Sequence, residues 1–354
     1  MVARATADDQ PSRLLTLDGI RGVAALVIVI GHTGRLMDPI VVPLGFSAVD
    51  LFFLLSGIVI DLSYRAKLAS GALSPYGMMR RRVIRLYPLY AVGTAITLAG
   101  LVIHRDLPVS FDGLFVLISL AVFMLPATLT SGAMYPLDPP AWSLFFELIA
   151  NFIYASYAHR LGRGLWLLAA FGLVLLVACY AYSLNEAVSG LARVMFSFFL
   201  GVIIARAPKK TQIGTAGSVA AIALLFALLM AVPHRFSEAL YFCYTVIAFP
   251  VIVYCVVSPA CIERRAAVCM SLLGRASYPI YTIHLPLIFL LESFGWRPEA
   301  HPPWTGLLFL AALVPLGVAL DQLIDTPIRA HFARRAIRVP EHASPPVQRV
   351  NVEP

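Results

Sequence analysis

The sequence predicts an all-α fold: a polytopic helical membrane protein with about ten transmembrane helices plus one re-entrant or interfacial segment. Three observations predict it. Of the 354 residues, 60% are hydrophobic and 13% charged, against roughly 45–50% and 25% in a soluble domain. The mean hydropathy of +0.83 leaves more apolar surface than any water-soluble packing can hide. The apolar residues also come in runs near the roughly 20 that cross about 30 Å of hydrocarbon, not in the alternating segments of about 10 found in outer-membrane barrels. A soluble globular enzyme, a disordered chain, a coiled coil and a barrel are thereby excluded.

Eleven apolar segments follow in order: 15–36, 44–63, 83–103, 113–129, 141–158, 164–182, 190–206, 213–232, 238–258, 276–293 and 304–324. The 113–129 run is the shortest and ends at Pro126 before a polar, proline-rich stretch from Ser131 to Pro140. Charge decides whether it crosses. With the N-terminus inside and 113–129 not crossing, 19 basic residues face the cytoplasm and four face outward; if it crosses, the count becomes 9 against 14. Basic residues collect in cytoplasmic loops, so both termini are expected inside the cell inner (cytoplasmic) membrane, with 113–129 re-entrant or interfacial. The same bias accounts for the net charge of +8 without nucleic acid. Residues 1–14 read as a cytoplasmic tail, 15–328 as the transmembrane domain, and 329–354 as a basic, disordered cytoplasmic tail. The first apolar run reads as a retained span, not a cleaved signal. The five cysteines (Cys179, Cys243, Cys255, Cys261, Cys269) read as small buried residues.

An ionisable group deep in a span costs about 2.5–3.5 kcal/mol on insertion scales, so each needs a reason. Span one carries Asp18, Arg21 and His32; Arg21 and His32 are eleven residues apart, about 16 Å along one helix face. Span two opens with Asp50 and continues to Ser56-Gly57, small residues that allow close helix approach. Span three begins at a basic run in which Arg82 and Arg85, three residues apart, form a fork suited to phosphate. Span five carries Trp142, Ser143 and Glu147, and span seven carries Arg193. Span ten carries Ser277, Tyr281 and His284, and the last segment closes with Asp321 and Asp325-Thr326-Pro327. Trp142 reads equally as an interfacial anchor and Arg193 as a snorkelling side chain. The arrangement has a direction: arginines for a phosphorylated ligand at the inner face, acid–base groups from the midplane outward.

These residues resemble a known family. Leu17-Asp18-Gly19-Ile20-Arg21-Gly22 through His32 is similar to the Arg-x10-His signature of acyltransferase family 3, the membrane-bound acyltransferases of surface polysaccharides, lipopolysaccharides and related acceptors. The likeness continues through Val49-Asp50-Leu51-Phe52-Phe53 to Ser56-Gly57, then Arg82-x-x-Arg85-Leu86-Tyr87-Pro88. It extends to Trp142-Ser143-Leu144 with Glu147, Ser277-Tyr278 to Tyr281 and His284, and the closing acid-x-Pro, in order over about residues 14–330. Two departures stand out. Asp325 replaces the usual glutamate, and no fused esterase-like domain is expected.

The resemblance implies an O-acyltransferase with acyl-CoA, commonly acetyl-CoA, as co-substrate, a carbohydrate acceptor, and no bound cofactor. His32 would be the general base, Glu147 would orient its ring, and His284, Ser277 or Tyr281 would donate to the oxyanion. Arg82 and Arg85, with Arg21, would hold the CoA phosphates, with Asp18, Asp50, Ser56, Trp142, Ser143, Arg193 and Asp325 in support. No metal site is expected, because His32 and His284 have no third ligand at recognisable spacing. A proton-coupled transporter or exporter is the rival reading, and a macrolide or other small glycosylated metabolite the alternative acceptor.

Overall fold

The computed structural model describes residues 12–338, except 34–41, 43–44, 105–109, 128–132, 158–160, 209–212, 231–236, 258–259 and 297–303. Several loop arginines behind the charge count, among them Arg35, Arg105, Arg160, Arg235 and Arg297, lie outside the described residues, as do 1–11 and 339–354.

The described chain is helical almost throughout. In order come α1 (Ser12–His32), α2 (Ala48–Ala69), α3 (Pro75–His104), α4 (Phe111–Val122), α5 (Ala141–Tyr157), α6 (Gly164–Tyr182) and α7 (Glu186–Arg206). Then follow α8 (Thr215–Met230), α9 (Ser237–Phe242), a π-helical turn (Cys243–Ala248), α10 (Phe249–Val256) and α11 (Arg264–Ser293). The chain closes with α12 (Trp304–Leu320), a second π-helical turn (Asp321–Asp325) and α13 (Thr326–Arg338). One two-residue parallel pairing, Ile213–Gly214 with Ala260–Cys261, joins two loop ends.

Among the described residues, seven helices are long and apolar enough to cross a membrane. Three further rods expected to cross lie beside them: α5 with 17 residues, α8 with 16, and α11 with 30 residues that include Arg264, Arg265 and Arg275. The chain is an all-α polytopic membrane protein. The helix α13 runs to Arg338, ten residues into the stretch expected as a disordered tail.

α4 has 12 residues, about 18 Å, too short to cross hydrocarbon. A helix that stops inside a protein leaves carbonyls without partners. Here tyrosines cover the exit: Tyr87 Oη donates to the Val122 carbonyl (3.0 Å), Tyr90 Oη joins the Met124 N–H on the Ala121 carbonyl (2.9 Å), and Tyr135 Oη donates to Met124 (2.8 Å) in the turn beyond the helix. Met124 takes the left-handed conformation (φ 52°) that turns the chain out of the helix.

Two helix pairs set the frame. α2 and α7 touch backbone to backbone, because a Cβ on Gly57 would stand 2.0 Å from the Phe198 carbonyl oxygen. α1 and α11 meet through Gly22, where a Cβ would stand 2.4 Å from Leu273, and Gly274, where it would stand 2.4 Å from Asp18. Small residues allow this approach where water-driven burial is absent. Helices α6 and α12 bury few of their residues and keep apolar surfaces outward, as lipid-facing helices do. The cysteines correct the sequence reading. Cys243, Cys255, Cys261 and Cys269 are exposed and Cys179 is half-buried, since in a membrane protein an apolar side chain faces lipid as readily as the core.

Candidate active site

The end of α1 brings His32 against His284 of α11. His32 Nδ1 lies 2.9 Å from His284 Nε2, with ring centroids 5.1 Å apart. His284 is fully buried, and its Nδ1 lies 2.8 Å from the Tyr281 carbonyl oxygen and 3.1 Å from that of Ile280. A carbonyl has no proton to give, so His284 Nδ1 is the donor. In the neutral pair His284 Nε2 must then accept, and His32 Nδ1 must donate to it. That leaves the lone pair on His32 Nε2, and His32 is exposed. The backbone thus sets the tautomer of the second ring, and the second ring sets that of the first.

Glu147 does not perform the orienting task expected of it. Arg82 Nη2 and Ser56 Oγ both donate to Glu147 Oε1, and Arg82 and Glu147 form a buried ion pair. At low dielectric a lone carboxylate and a lone guanidinium are each expensive, and pairing them removes both penalties. Arg82 is therefore only 8% exposed and is no free half of a phosphate fork.

Arg21 and Arg85 differ from it. Arg85 is half-buried and has no ion pair among the described residues, and Arg21 meets Asp18 only at 3.7 Å. Arg21, Arg85 and Asp18 lie within electrostatic range of one another, and Arg21 also feels Arg82 and Glu147. Tyr278 donates to the Leu86 carbonyl, tying α11 to α3 beside Arg85. Asp325 is buried at the same end and pairs with Arg329 (2.9 Å), while Asp321 takes Arg275 (2.8 Å). The π turn's wider i→i+5 bonding puts these two acids, four residues apart, on one face.

The remaining site residues are structural in placement. Arg193 forks Asp50 (Nε–Oδ1 3.0 Å, Nη2–Oδ2 2.9 Å), donates to the Phe46 carbonyl, and lies 5.1 Å over the Trp142 ring. Trp142 is thus a lid on a buried cation, and Arg193 does not snorkel. Ser143 Oγ and Tyr281 Oη lie 2.7 Å apart, with the Pro140 carbonyl 3.0 and 3.2 Å from them, so one hydroxyl donates to the other and the other to the carbonyl, seating the start of α5 on α11. Ser277 Oγ turns back on Gly274 (2.7 Å). The hydroxyls expected to serve an oxyanion are therefore already committed within the protein.

Two acids escaped the sequence reading. Asp61 accepts from Arg206 (2.6 Å) and Tyr154 (2.9 Å), binding α2, α5 and α7 at one end; an acid four residues before Arg65 in an otherwise apolar run was the available signal. Asp138 lies between Pro136 and Pro139, fully buried, with neither carboxylate oxygen bonded among the described residues. No group of three or more His, Cys, Asp or Glu suited to a metal occurs among the described residues.

An imidazole pair with one ring buried and the other exposed, at one end of a membrane bundle, and two arginines without tight carboxylate partners toward the other, are the features of a membrane-enzyme site. The chain belongs to acyltransferase family 3: the family's sequence model, an acyltransferase domain, matches residues 14–321. It is 39% identical over 186 residues to "Protein 2 in picA locus" of Rhizobium radiobacter, covering 48% of this chain and 95% of that protein. It is 26% identical over 321 residues to BcsY of Komagataeibacter xylinus, whose name describes a membrane-bound transacylase, covering 86% of this chain and 81% of that one. No solved structure matches the chain. The protein is a multi-pass membrane acyltransferase.

Proposed function

We propose that this acyltransferase moves an acyl group, most simply acetyl, from cytosolic acyl-CoA to a carbohydrate hydroxyl on the far side of the cell inner membrane, with His32 as general base and both termini cytoplasmic. The observation that carries the reading is the His32–His284 hydrogen bond, anchored on the Tyr281 carbonyl, which leaves His32 Nε2 as an available base. His32 Nε2 takes the acceptor hydroxyl proton as the oxygen attacks the thioester carbonyl. The carbon–sulfur bond breaks, the ester forms, and the imidazolium returns the proton to the departing CoA thiolate. His284, held by a carbonyl, acts as the ring that orients His32, the place a carboxylate takes in a Ser-His-Asp triad.

Arg21 and Arg85 are the first phosphate ligands in this scheme, because their guanidiniums lack tight carboxylate partners. Arg82, held by Glu147 and Ser56, lends positive field. The spacing of about 16 Å from Arg21 to His32 is what an extended pantetheine arm has to bridge. The test is transfer of label from radiolabelled acetyl-CoA to membrane glycans. Wild-type membranes transfer, and His32→Ala membranes with equal protein content do not. Near-normal transfer by His32→Ala removes His32 from the chemistry.

A further inference from the structure

Asp138 stands in the turn that leads into α5, fixed by its own backbone: its N–H donates to the Tyr135 carbonyl (3.3 Å) and its carbonyl accepts from Ala141 (2.9 Å). Its carboxyl reaches α3 where Gly93 has no side chain. A Cβ on Gly93 would stand 3.2 Å from Asp138 Oδ2 and 3.0 Å from the Thr282 carbonyl oxygen of α11. The two oxygens therefore flank one point of α3, no farther apart than the sum of those two distances.

Thr282 is the residue whose carbonyl loses its partner at Pro286, since proline four residues on has no N–H to give. The Thr282 hydroxyl does not fill the gap, because it donates to the Tyr278 and Pro279 carbonyls. Every phenol around Asp138 is engaged elsewhere. Tyr90 of α3 donates to Ala121, Tyr135 of its own segment to Met124, Tyr278 of α11 to Leu86, and Tyr281 of α11 to Ser143 or Pro140. From α4 no titratable group faces it, and no Lys, Arg or His pairs with it among the described residues. Burial without a donor or cation drives the Asp138 carboxyl well above its ordinary range. The buried Thr94 and Thr97 hydroxyls of α3 also lack partners among the described residues, but neither bonds Asp138, and a carboxylic acid brings a proton that the Thr282 carbonyl can take.

We propose that Asp138 is a neutral carboxylic acid that donates its proton, directly or through one water, toward the Thr282 carbonyl left free by Pro286, and so is a positioning residue that holds α11, and with it His284, in register. The link to His284 rests on the function proposed above; the protonation itself does not. Thr282 and His284 are two residues apart on one helix, so a shift of that carbonyl moves the imidazole that orients His32.

The experiment uses the full chain in nanodiscs. Infrared spectra recorded as a function of pH are expected to show, at neutral pH, a protonated-carboxyl stretch that Asp138→Asn removes. Wild-type and Asp138→Asn spectra with no difference in that region overturn the proposal. So does a sodium-dependent change in that region, which would make the site a cation site. This readout stands even if His32 proves dispensable. In the transfer assay, Asp138→Asn, whose amide also donates, is expected to stay near wild type, while Asp138→Ala, if folded, falls about tenfold or more through the unmatched carbonyl. The alkaline fall of the wild-type rate profile, caused by ionisation of Asp138, is expected to disappear in Asp138→Asn. An Asn variant as inactive as Ala, or an unchanged alkaline limb, counts against it.

Discussion

The two sides of the bundle treat their buried charges differently. On the α2–α7 side each charge is matched in full: Asp50 takes a two-pronged bond from Arg193, and Asp61 takes Arg206 and Tyr154. On the α1–α3–α11 side capacity is left over. His32 Nε2 is without a partner among the described residues, Arg85 has no ion pair there, and Arg21 has only a distant carboxylate. Matched polar groups hold helices together, and unmatched ones are where a substrate finds its partners. Under the proposed function this difference divides structural from catalytic residues more sharply than the rarity of charges in membranes does, since both sides carry rare charges.

The largest effect expected from breaking this division is on the histidine pair. His32→Ala should lower transfer about 10²–10⁴-fold, the usual contribution of a general base, with little change in melting temperature because the side chain is exposed. Assay and thermal melting of the same preparation check both halves. Loss of stability in place of loss of rate would put His32 on the matched side.

Arg193→Leu should do the opposite. Removing one partner of a buried pair leaves Asp50, 1% exposed, as an uncompensated charge, a loss of about 3–5 kcal/mol. The double change Arg193→Leu with Asp50→Leu should recover much of that, because no charge is then left buried. Denaturant titration of the single and double variants measures it. A double variant no more stable than the single would show that the pair does more than cancel charge.

The fold and the histidines were legible in the sequence for one reason: a charge or imidazole inside an apolar run is conspicuous. Helix positions followed from run length, and the short 113–129 run followed from loop charge. Partnership was not legible, because spacing along one helix says nothing of which helix lies beside it. Glu147 was therefore assigned to His32 when Arg82 and Ser56 hold it, and Asp50 and Arg193 were read singly when they bind each other. Asp138 was missed because an acid between two prolines looks like an ordinary loop residue; only burial exposes it.

A smaller effect sharpens the arginine end. Arg85→Ala should weaken donor binding by about 10–150-fold, the worth of charge-assisted bonds of about 1.5–3 kcal/mol, and raise KM for acyl-CoA more than it lowers kcat. Stability should hold, since Arg85 anchors no ion pair among the described residues. Arg82→Ala should cost stability as well, because it strands Glu147. Equal effects of the two on folding would erase the distinction between the engaged and the available arginine.

The smallest effect concerns stability against pH. Asp138 has its native value raised above the ordinary 3.8 by burial, so between the two values the folded state holds a proton that the unfolded state has released. Unfolding free energy then falls as pH rises across that interval, by the sign of the linkage relation. The contribution is complete below 3.8 and is lost progressively as pH climbs to the native value. Other carboxylates titrate in the same range, so the quantity to measure is the melting temperature of wild type minus that of Asp138→Asn at each pH. The difference should decline with rising pH, because the amide does not ionise. A difference that rises instead would mean the native carboxyl is an anion, and Asp138 would then belong with the matched charges.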